Sequence, residues 1–359
     1  MTYQIDGFPG REIEISQKKY LYFGGTSYLG LQEDPAFQDI YIANIRKYGT
    51  HYGASRKSNI RLSIYEEVEQ LLSNLVGSES CITLSSGYLA AQLVRQSLGT
   101  RKYVPFYAPN THSALYTPTE SETRHKPYTS FPALNIALRE QLKKDKETTT
   151  VVFLDAIDFS GSNFPYFEGL KILPLQNIVL VVDDSHGIGV LGNQGGGVFK
   201  TVNKLNPKEL IVCCSLGKGF GIQGGAIMGT KKRVEQLSNT AFFGGASPAA
   251  PAALASITDG LKLFGKKRNV LKENIEIFRA GTKPLDKFTS MPEHPAFSFQ
   301  DENLSHYLEQ NKVLVTNFRY PNEDSQLMSR IVLSAHHRKE DIHLLCNLIN
   351  NYYKKNGHL

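Results

Sequence analysis

The chain has 359 residues, of which 41% are hydrophobic, 10% aromatic and 21% charged, values that exclude a largely disordered protein. Forty Lys and Arg against 34 Asp and Glu leave a net charge of +6; the basic residues are scattered, which suits small anionic ligands and argues against nucleic acid. No apolar run approaches the roughly 20 residues of a membrane span, and the stretch MTYQIDGFPGREIEIS has no apolar h-region, so neither a membrane segment nor a secretory signal is expected.

In chain order, a helix is predicted over 64–75, where Ile64, Val68, Leu71, Leu72 and Leu75 form one apolar stripe behind an S-x-x-E capping box of Ser63 and Glu66. Strands follow over 80–84, 103–107, 149–154, 178–182, 210–214 and 226–228, several of them apolar at consecutive positions, as in strands buried on both faces. Their alternation with helical patterns predicts an α/β fold with a mainly parallel sheet. Pro- and Ala-rich sequence at 248–255 opens a long helix, interrupted by Gly265, that reaches about Ala280. Strand 296–300, helix 302–310, strands 313–318 and 330–335 and helix 340–354 then describe a smaller α+β lobe. The expected division is an N-terminal segment 1–34, a large domain 35–240 and a small domain 241–359, with no internal repeat.

Ligands of open α/β sheets bind beyond the carboxyl ends of the strands, so the residues after each strand carry the functional signal. After 80–84 come Ser85, Ser86, Gly87 and Tyr88, opening a helix; they offer backbone N–H groups to a phosphate, or form an ordinary N-cap. After 178–182 come Asp183, Asp184, Ser185 and His186, where Asp183 either caps a turn or has a chemical task. After 210–214 comes Ser215-Leu216-Gly217-Lys218-Gly219-Phe220-Gly221, whose lysine between glycines is poorly explained as a solvated charge. His112, beyond 103–107, could stack on a ring or be structural.

Three competing motifs lose their context. Gly187-Ile188-Gly189-Val190-Leu191-Gly192 fits G-x-G-x-x-G, but more glycines follow where a dinucleotide-binding helix should begin. Ser215-Leu216-Gly217-Lys218 fits the S-x-x-K of penicillin-recognising enzymes without their other motifs. Asp183, Asp184 and His186 lack further metal ligands at a characteristic spacing, so no metal is expected. The four cysteines, Cys81, Cys213, Cys214 and Cys346, have neither a C-x-x-C pair nor a framework spacing and read as reduced core thiols of a cytoplasmic protein. A lysine for a Schiff base, a strand-end aspartate and a Ser-Ser-Gly helix start together suit pyridoxal phosphate chemistry.

On these residues the sequence resembles the α-oxoamine synthases among the fold-type I pyridoxal phosphate enzymes, in the class I/II aminotransferase superfamily, and within them the 8-amino-7-oxononanoate synthase and 2-amino-3-ketobutyrate CoA ligase branches. The resemblance runs from about Gly10 to Tyr353. It rests on Tyr28-Leu29-Gly30-Leu31, on the segment from Tyr48 to Arg56, on Ser86-Gly87-Tyr88, on Thr111-His112-Ser113, on Val182-Asp183-Asp184-Ser185-His186-Gly187 and on the Lys218 segment. It implies pyridoxal phosphate on Lys218 and Asp183 at the pyridine nitrogen. It also implies His112 on the ring face, His186 by the phenolic oxygen, and Ser86, Gly87, Tyr88 and Ser215 about the phosphate. Arg330 would clamp the substrate carboxylate, and Thr26 would lie at the substrate site. A homodimer with its active site near the subunit interface is implied as well.

The implied activity is decarboxylative condensation of a small amino acid with an acyl-CoA to an α-oxoamine. An aminotransferase is the alternative from the same superfamily, and a cofactor-binding protein without turnover is the non-enzyme alternative. The chain departs from the family pattern at several places. It starts almost at the Tyr-Leu-Gly motif, without the family's N-terminal arm. Thr26 replaces an asparagine, Ile60 and Tyr65 replace a glycine and a histidine, and Gly245 stands where a neighbouring subunit supplies Ser or Thr to the phosphate. Arg56, Lys57 and Arg61 are the candidates for a basic mouth that receives the CoA tail.

Overall fold

The computed structural model describes residues 2–115, 126–320, 323–325 and 327–357. It opens on two strands the sequence pattern does not announce, β1 (Glu12–Ile15) and β2 (Lys18–Phe23), paired antiparallel with Ile15 opposite Lys18. The hairpin turn is Ser16-Gln17, both left-handed with φ 49° and 63°. Turns of that hand are usually signalled by Asn-Gly or Asp-Gly, and this one carries neither. Helix α1 (Pro35–Tyr48) follows.

Helix α2 (Ile64–Val76) buries the predicted stripe, but the capping box at its start is absent. Ser63 itself has helical dihedrals, φ −59° and ψ −29°, and its hydroxyl caps nothing; capping needs an extended residue whose side chain can turn back to the N3 amide. The predicted strands then appear within a residue of their expected bounds: β3 (Ser80–Leu84), β4 (Tyr103–Tyr107), β5 (Thr149–Asp155), β6 (Val179–Asp183), β7 (Glu209–Ser215) and β8 (Gly225–Gly229). Helices α3 (Gly87–Ser97), α4 (Phe131–Lys144), α5 (Glu168–Lys171), α6 (Phe199–Asn203), α7 (Lys231–Ser238) and α8 (Ala241–Gly245) lie between or after them.

These six strands form one sheet in the order β3-β8-β7-β6-β5-β4, with β4 to β7 parallel and β8 antiparallel to both neighbours. Val151, Val152, Phe153 and Leu154 are all fully buried, as are Leu180, Val181 and Val182, which is the double-sided burial their unbroken apolar runs predict. The parallel register sets the strand ends level: Asp155 pairs with Asp183, and Asp183 with Cys213.

Helix α9 (Pro251–Gly281) runs unbroken for 31 residues, straight through Gly265. An interior glycine costs only about 1 kcal/mol relative to alanine, too little to break a helix that buries Leu254, Ile257, Phe264, Leu271 and Phe278. Strands β9 (Thr289–Ser290) and β10 (Ala296–Phe299), helix α10 (Glu302–Gln310), strands β11 (Val313–Arg319) and β12 (Leu327–Val332) and helix α11 (Lys339–Lys355) complete the chain. The strand expected at 330–335 ends at Val332, since the next residues turn: the Ser334 N–H donates to His337 Nδ1 at 3.0 Å. The second sheet has the order β1-β2-β11-β12-β10-β9, with β2 parallel to β11.

The chain divides into two compact units. One comprises Met1–Gln38, Phe159–Gly161 and Lys262–Leu359, and the other Asp39–Asp158 and Ser162–Leu261. The four cysteines are free and buried. Among the described residues no helix is long and apolar enough to cross a membrane.

Candidate active site

Strands β5, β6 and β7 end on polar residues after apolar runs: Asp155, Asp183 and Ser215. A short network ties these ends together. The Ser185 N–H donates to Asp183 Oδ1 at 2.8 Å, and the Ser215 N–H donates to Ser185 Oγ at 2.8 Å. Ser185, which sequence reasoning left without a task, thus bridges the ends of β6 and β7.

Lys218 sits in the turn beyond β7, and its Nζ lies 3.0 Å from His186 Nε2. The glycines around both residues explain the approach. A Cβ on Gly189, at φ +80°, would meet the Gly219 backbone at 2.9 Å, and a Cβ on Gly219 would collide with the Ile188 carbonyl. Only glycines let the turn after β6 and the turn after β7 touch, and that contact sets Lys218 against His186. The literal G-x-G-x-x-G stretch therefore forms turns, and no α-helix opens until Phe199.

At the start of α3, Ser86 is an extended N-cap whose Oγ accepts the Leu89 N–H at 3.2 Å. Gly87 packs directly on the end of β7, where a Cβ would meet Ser215 Cα at 2.7 Å. The Ser215 Oγ accepts the Gly217 N–H at 3.2 Å. Both hydroxyls are used here as acceptors, so each still has its own proton to donate. The packing of Gly87 on Ser215 brings both hydroxyls to the N-terminus of α3. Tyr88 is 57% exposed.

His112 follows β4. Its backbone N–H donates to Asp155 Oδ2 at 2.6 Å, and its Nδ1 accepts the Ala114 N–H at 3.1 Å. Burial, and the Lys218 charge beyond it, hold His112 below the usual imidazole range, with Asp183 opposing. The ring is thereby kept neutral. Asp155 is driven well above the usual carboxyl range by burial and by repulsion from Asp183.

Asp184 points the other way. It is 1% exposed, its Oδ2 accepts the Val198 N–H at 2.9 Å, and burial drives its pKa well above the ordinary value. It holds the turn between β6 and α6. Among the described residues, no group of three or more His, Cys, Asp or Glu is placed to hold a metal.

Arg330 and Thr26 belong to the unit built from the chain's two ends. The Arg330 guanidinium carbon lies 3.6 Å from the centroid of the Phe159 ring. Thr26 is exposed, and its carbonyl accepts the Tyr28 N–H at 2.9 Å.

A protein-family model described as aminotransferase class I and II matches residues 19–349. The chain belongs to this family. Curated relatives within reach include the 8-amino-7-oxononanoate synthase of Alcanivorax borkumensis, 28% identical over 359 residues (95% of this chain and 91% of that protein). The serine palmitoyltransferase of Bacteriovorax stolpii is 25% identical over 345 residues (92% and 81%). Among solved structures, a serine palmitoyltransferase of Sphingomonas wittichii superposes with a TM-score of 0.82 at 20% identity, covering 99% of this chain and 92% of that one. An 8-amino-7-oxononanoate synthase of Francisella tularensis superposes with a TM-score of 0.70 at 21% identity, covering 94% and 98%. The α/β fold of this family member is the fold of those enzymes.

Two features of this aminotransferase-family chain depart from the sequence expectation. Arg56 is not available for a basic mouth. Its guanidinium makes a two-pronged pair with Glu69 at 2.8 and 3.0 Å and lies 4.0 Å from the centroid of the Tyr65 ring. Glu69 in turn accepts the Thr83 N–H and hydroxyl, so Arg56 is spent on anchoring α2 to β3. Lys57 donates to Asn239 Oδ1 at 2.8 Å, and Arg61 Nε donates to the Ser58 carbonyl at 3.3 Å, both at the surface. The second is Asp155, to which the sequence reading gave no role. Only the β5–β6 register reveals it as Asp183's neighbour.

Proposed function

We propose that this protein is a pyridoxal phosphate-dependent acyltransferase that condenses a small amino acid with an acyl-CoA, with loss of carbon dioxide, to give an α-oxoamine. The observation that carries the reading is Lys218 Nζ held 3.0 Å from His186 Nε2 in the turn beside the β6 end that carries Asp183. The donor set fits the cofactor: an amine for its aldehyde, a strand-end carboxylate for its ring nitrogen, a neutral imidazole at His112, and two serine hydroxyls at a helix N-terminus for its phosphate. The curated relatives named above include 8-amino-7-oxononanoate synthases and a serine palmitoyltransferase, which supports the condensation over other reactions of the family.

Bound there, pyridoxal phosphate supplies an aldehyde for amines and a pyridinium ring that accepts an electron pair. Asp183 would keep the ring nitrogen's proton in place. Lys218 would hold the cofactor through its amine, and that amine would take a proton from the substrate's α-carbon and later return one. His186 Nε2 stands ready to share that proton with Lys218 Nζ. Ser86, Gly87 and Ser215 would bind the phosphate, with Tyr88 at the entrance of α3, and Arg330 would bind the substrate carboxylate. Thr26 is assigned to the substrate side by resemblance to the family. We further read the protein as a cytoplasmic homodimer, in keeping with its free, buried cysteines, and its domains as a terminal segment, a cofactor lobe and a small C-terminal lobe.

The test has two parts. Borohydride reduction of the cofactor-loaded protein followed by peptide mapping should place the pyridoxyl group on Lys218; any other lysine overturns the site. Incubation of glycine, L-alanine or L-serine with an acyl-CoA should release CoA and carbon dioxide in equal amounts. The pairing of Arg56 with Glu69 favours one second reading, an aminotransferase that needs no basic mouth. Exchange of amino groups with keto acids and no release of CoA would establish it.

A further inference from the structure

Residues Phe159–Gly161 lie in the loop after β5 yet belong to the compact unit that carries Arg330. Phe159 has φ +56°, a left-handed conformation that a bulky side chain rarely adopts unless its surroundings hold it there. Its ring lies against the guanidinium of Arg330, 3.6 Å from centroid to the central carbon. The same ring meets the edge of His294 at 5.7 Å and 76°. His294 is fully buried and meets Tyr28 in turn at 5.3 Å, and Tyr28 is buried as well. A column of aromatic rings therefore backs the ring that touches Arg330.

All five N–H donors of a guanidinium lie in its plane. A carboxylate is planar too, and its two oxygens match the fork edge-on without leaving that plane. A phosphonate or sulfonate projects at least one oxygen out of the plane, and on the covered side that oxygen meets the negative face of an aromatic ring. We propose that Phe159 is a positioning residue for carboxylate recognition: by covering one face of Arg330 it confines the bound acid group to the guanidinium plane and selects planar carboxylates over tetrahedral oxyanions. This rests on the reading of Arg330 as the carboxylate clamp. Burial independently pulls Arg330 down to about 10, as expected of a cation whose hydration has been partly replaced by a ring and which gains by pairing with an anion.

The test is calorimetric binding of glycine, L-alanine, L-serine and aminomethylphosphonate to the cofactor-loaded wild-type protein and to Phe159→Leu, Phe159→Tyr and Arg330→Met, with thermal midpoint and cofactor retention measured alongside. Phe159→Leu should weaken amino-acid binding about five- to tenfold, the loss expected for one cation–π contact at a partly desolvated site. It should also shrink the preference for glycine over aminomethylphosphonate several-fold, with midpoint and cofactor retention unchanged. Phe159→Tyr, which keeps the ring face, should retain wild-type values. Unchanged affinity and unchanged preference in Phe159→Leu would overturn the proposal. So would a loss matched by falls in midpoint and cofactor retention, since Phe159 would then be structural. If Arg330→Met binds amino acids as well as wild type, the clamp reading itself fails, and that result is distinct from a failure at Phe159 alone.

Discussion

Asp155 and Asp183 end neighbouring parallel strands as register partners, and they are not equivalent. Asp183 receives the Ser185 N–H, whereas Asp155 receives the His112 N–H, and burial together with its neighbour's charge pushes Asp155 well above the ordinary carboxyl range. Asp155 thus organises the backbone after β4, whereas Asp183 holds the turn that follows β6.

Asp183 and Asp184, adjacent in sequence, should therefore fail in different ways. Asp183→Asn, which keeps an acceptor for the Ser185 N–H, should slow α-proton exchange of a bound amino acid by orders of magnitude while leaving stability near wild type. Asp184→Ala strands the buried Val198 N–H that Asp184 now accepts and should cost about 1–3 kcal/mol of stability. Deuterium exchange followed by NMR reads the first effect and urea denaturation the second. Equal losses of exchange in both variants would overturn this division of roles.

The glycine contact behind Lys218 gives a second contrast. Gly189→Ala places a Cβ 2.9 Å from the Gly219 backbone at φ +80° and should cost at least about 2 kcal/mol, since the left-handed conformation alone costs about 1–2 kcal/mol. It should also lower cofactor affinity, because the Lys218 turn must shift. A Cβ on Gly245 meets nothing within 4 Å, so Gly245→Ala should stabilise by about 0.4–1 kcal/mol. Thermal unfolding of the two variants checks both signs.

Acid should destabilise the fold through two adjacent histidines. Burial holds His336 at about 3 and His337 at about 4, below the 6.5 of a free imidazole. His337 is fixed by accepting the Ser334 N–H at 3.0 Å and by its contact with the Tyr22 carbonyl at 2.9 Å. Below its ordinary pKa the unfolded chain binds protons that the folded chain refuses. The stabilisation is thus complete above about pH 6.5 and declines as pH falls, by up to about 1.4 kcal/mol per unit for each group. The urea midpoint should drop between pH 7 and pH 5, and His337→Gln should flatten that slope.

Charge at the surface separates the synthase from the aminotransferase. Lys57→Glu and Arg61→Glu should raise the apparent binding constant of an acyl-CoA without altering the melting temperature, because both groups make only surface contacts. Glu69→Gln should instead unfold the protein by about 3–5 kcal/mol, since it leaves the Arg56 charge without its partner at a site where both side chains are about nine-tenths covered. Titration of the thioester against each variant, with a melt for each, distinguishes a binding surface from a structural pair.

Local sequence determined what depends on neighbours in the chain. The apolar runs of β5, β6 and β7 read as strands buried on two faces, and the polar residues that follow two of them, Asp183 and Ser215, fall at the sheet's carboxyl edge. Lys218 between glycines, and the Ser-Gly start of α3, were legible for the same reason: their residue types are unusual in those positions. Tertiary structure alone decided the rest. Asp155 became Asp183's neighbour through strand register, Arg56 was taken by Glu69, Gly189 met Gly219, Phe159 reached Arg330, and β2 found β11 nearly 300 residues further along the chain. Each of those pairings joins residues separated in sequence, and no local periodicity encodes which partner that is.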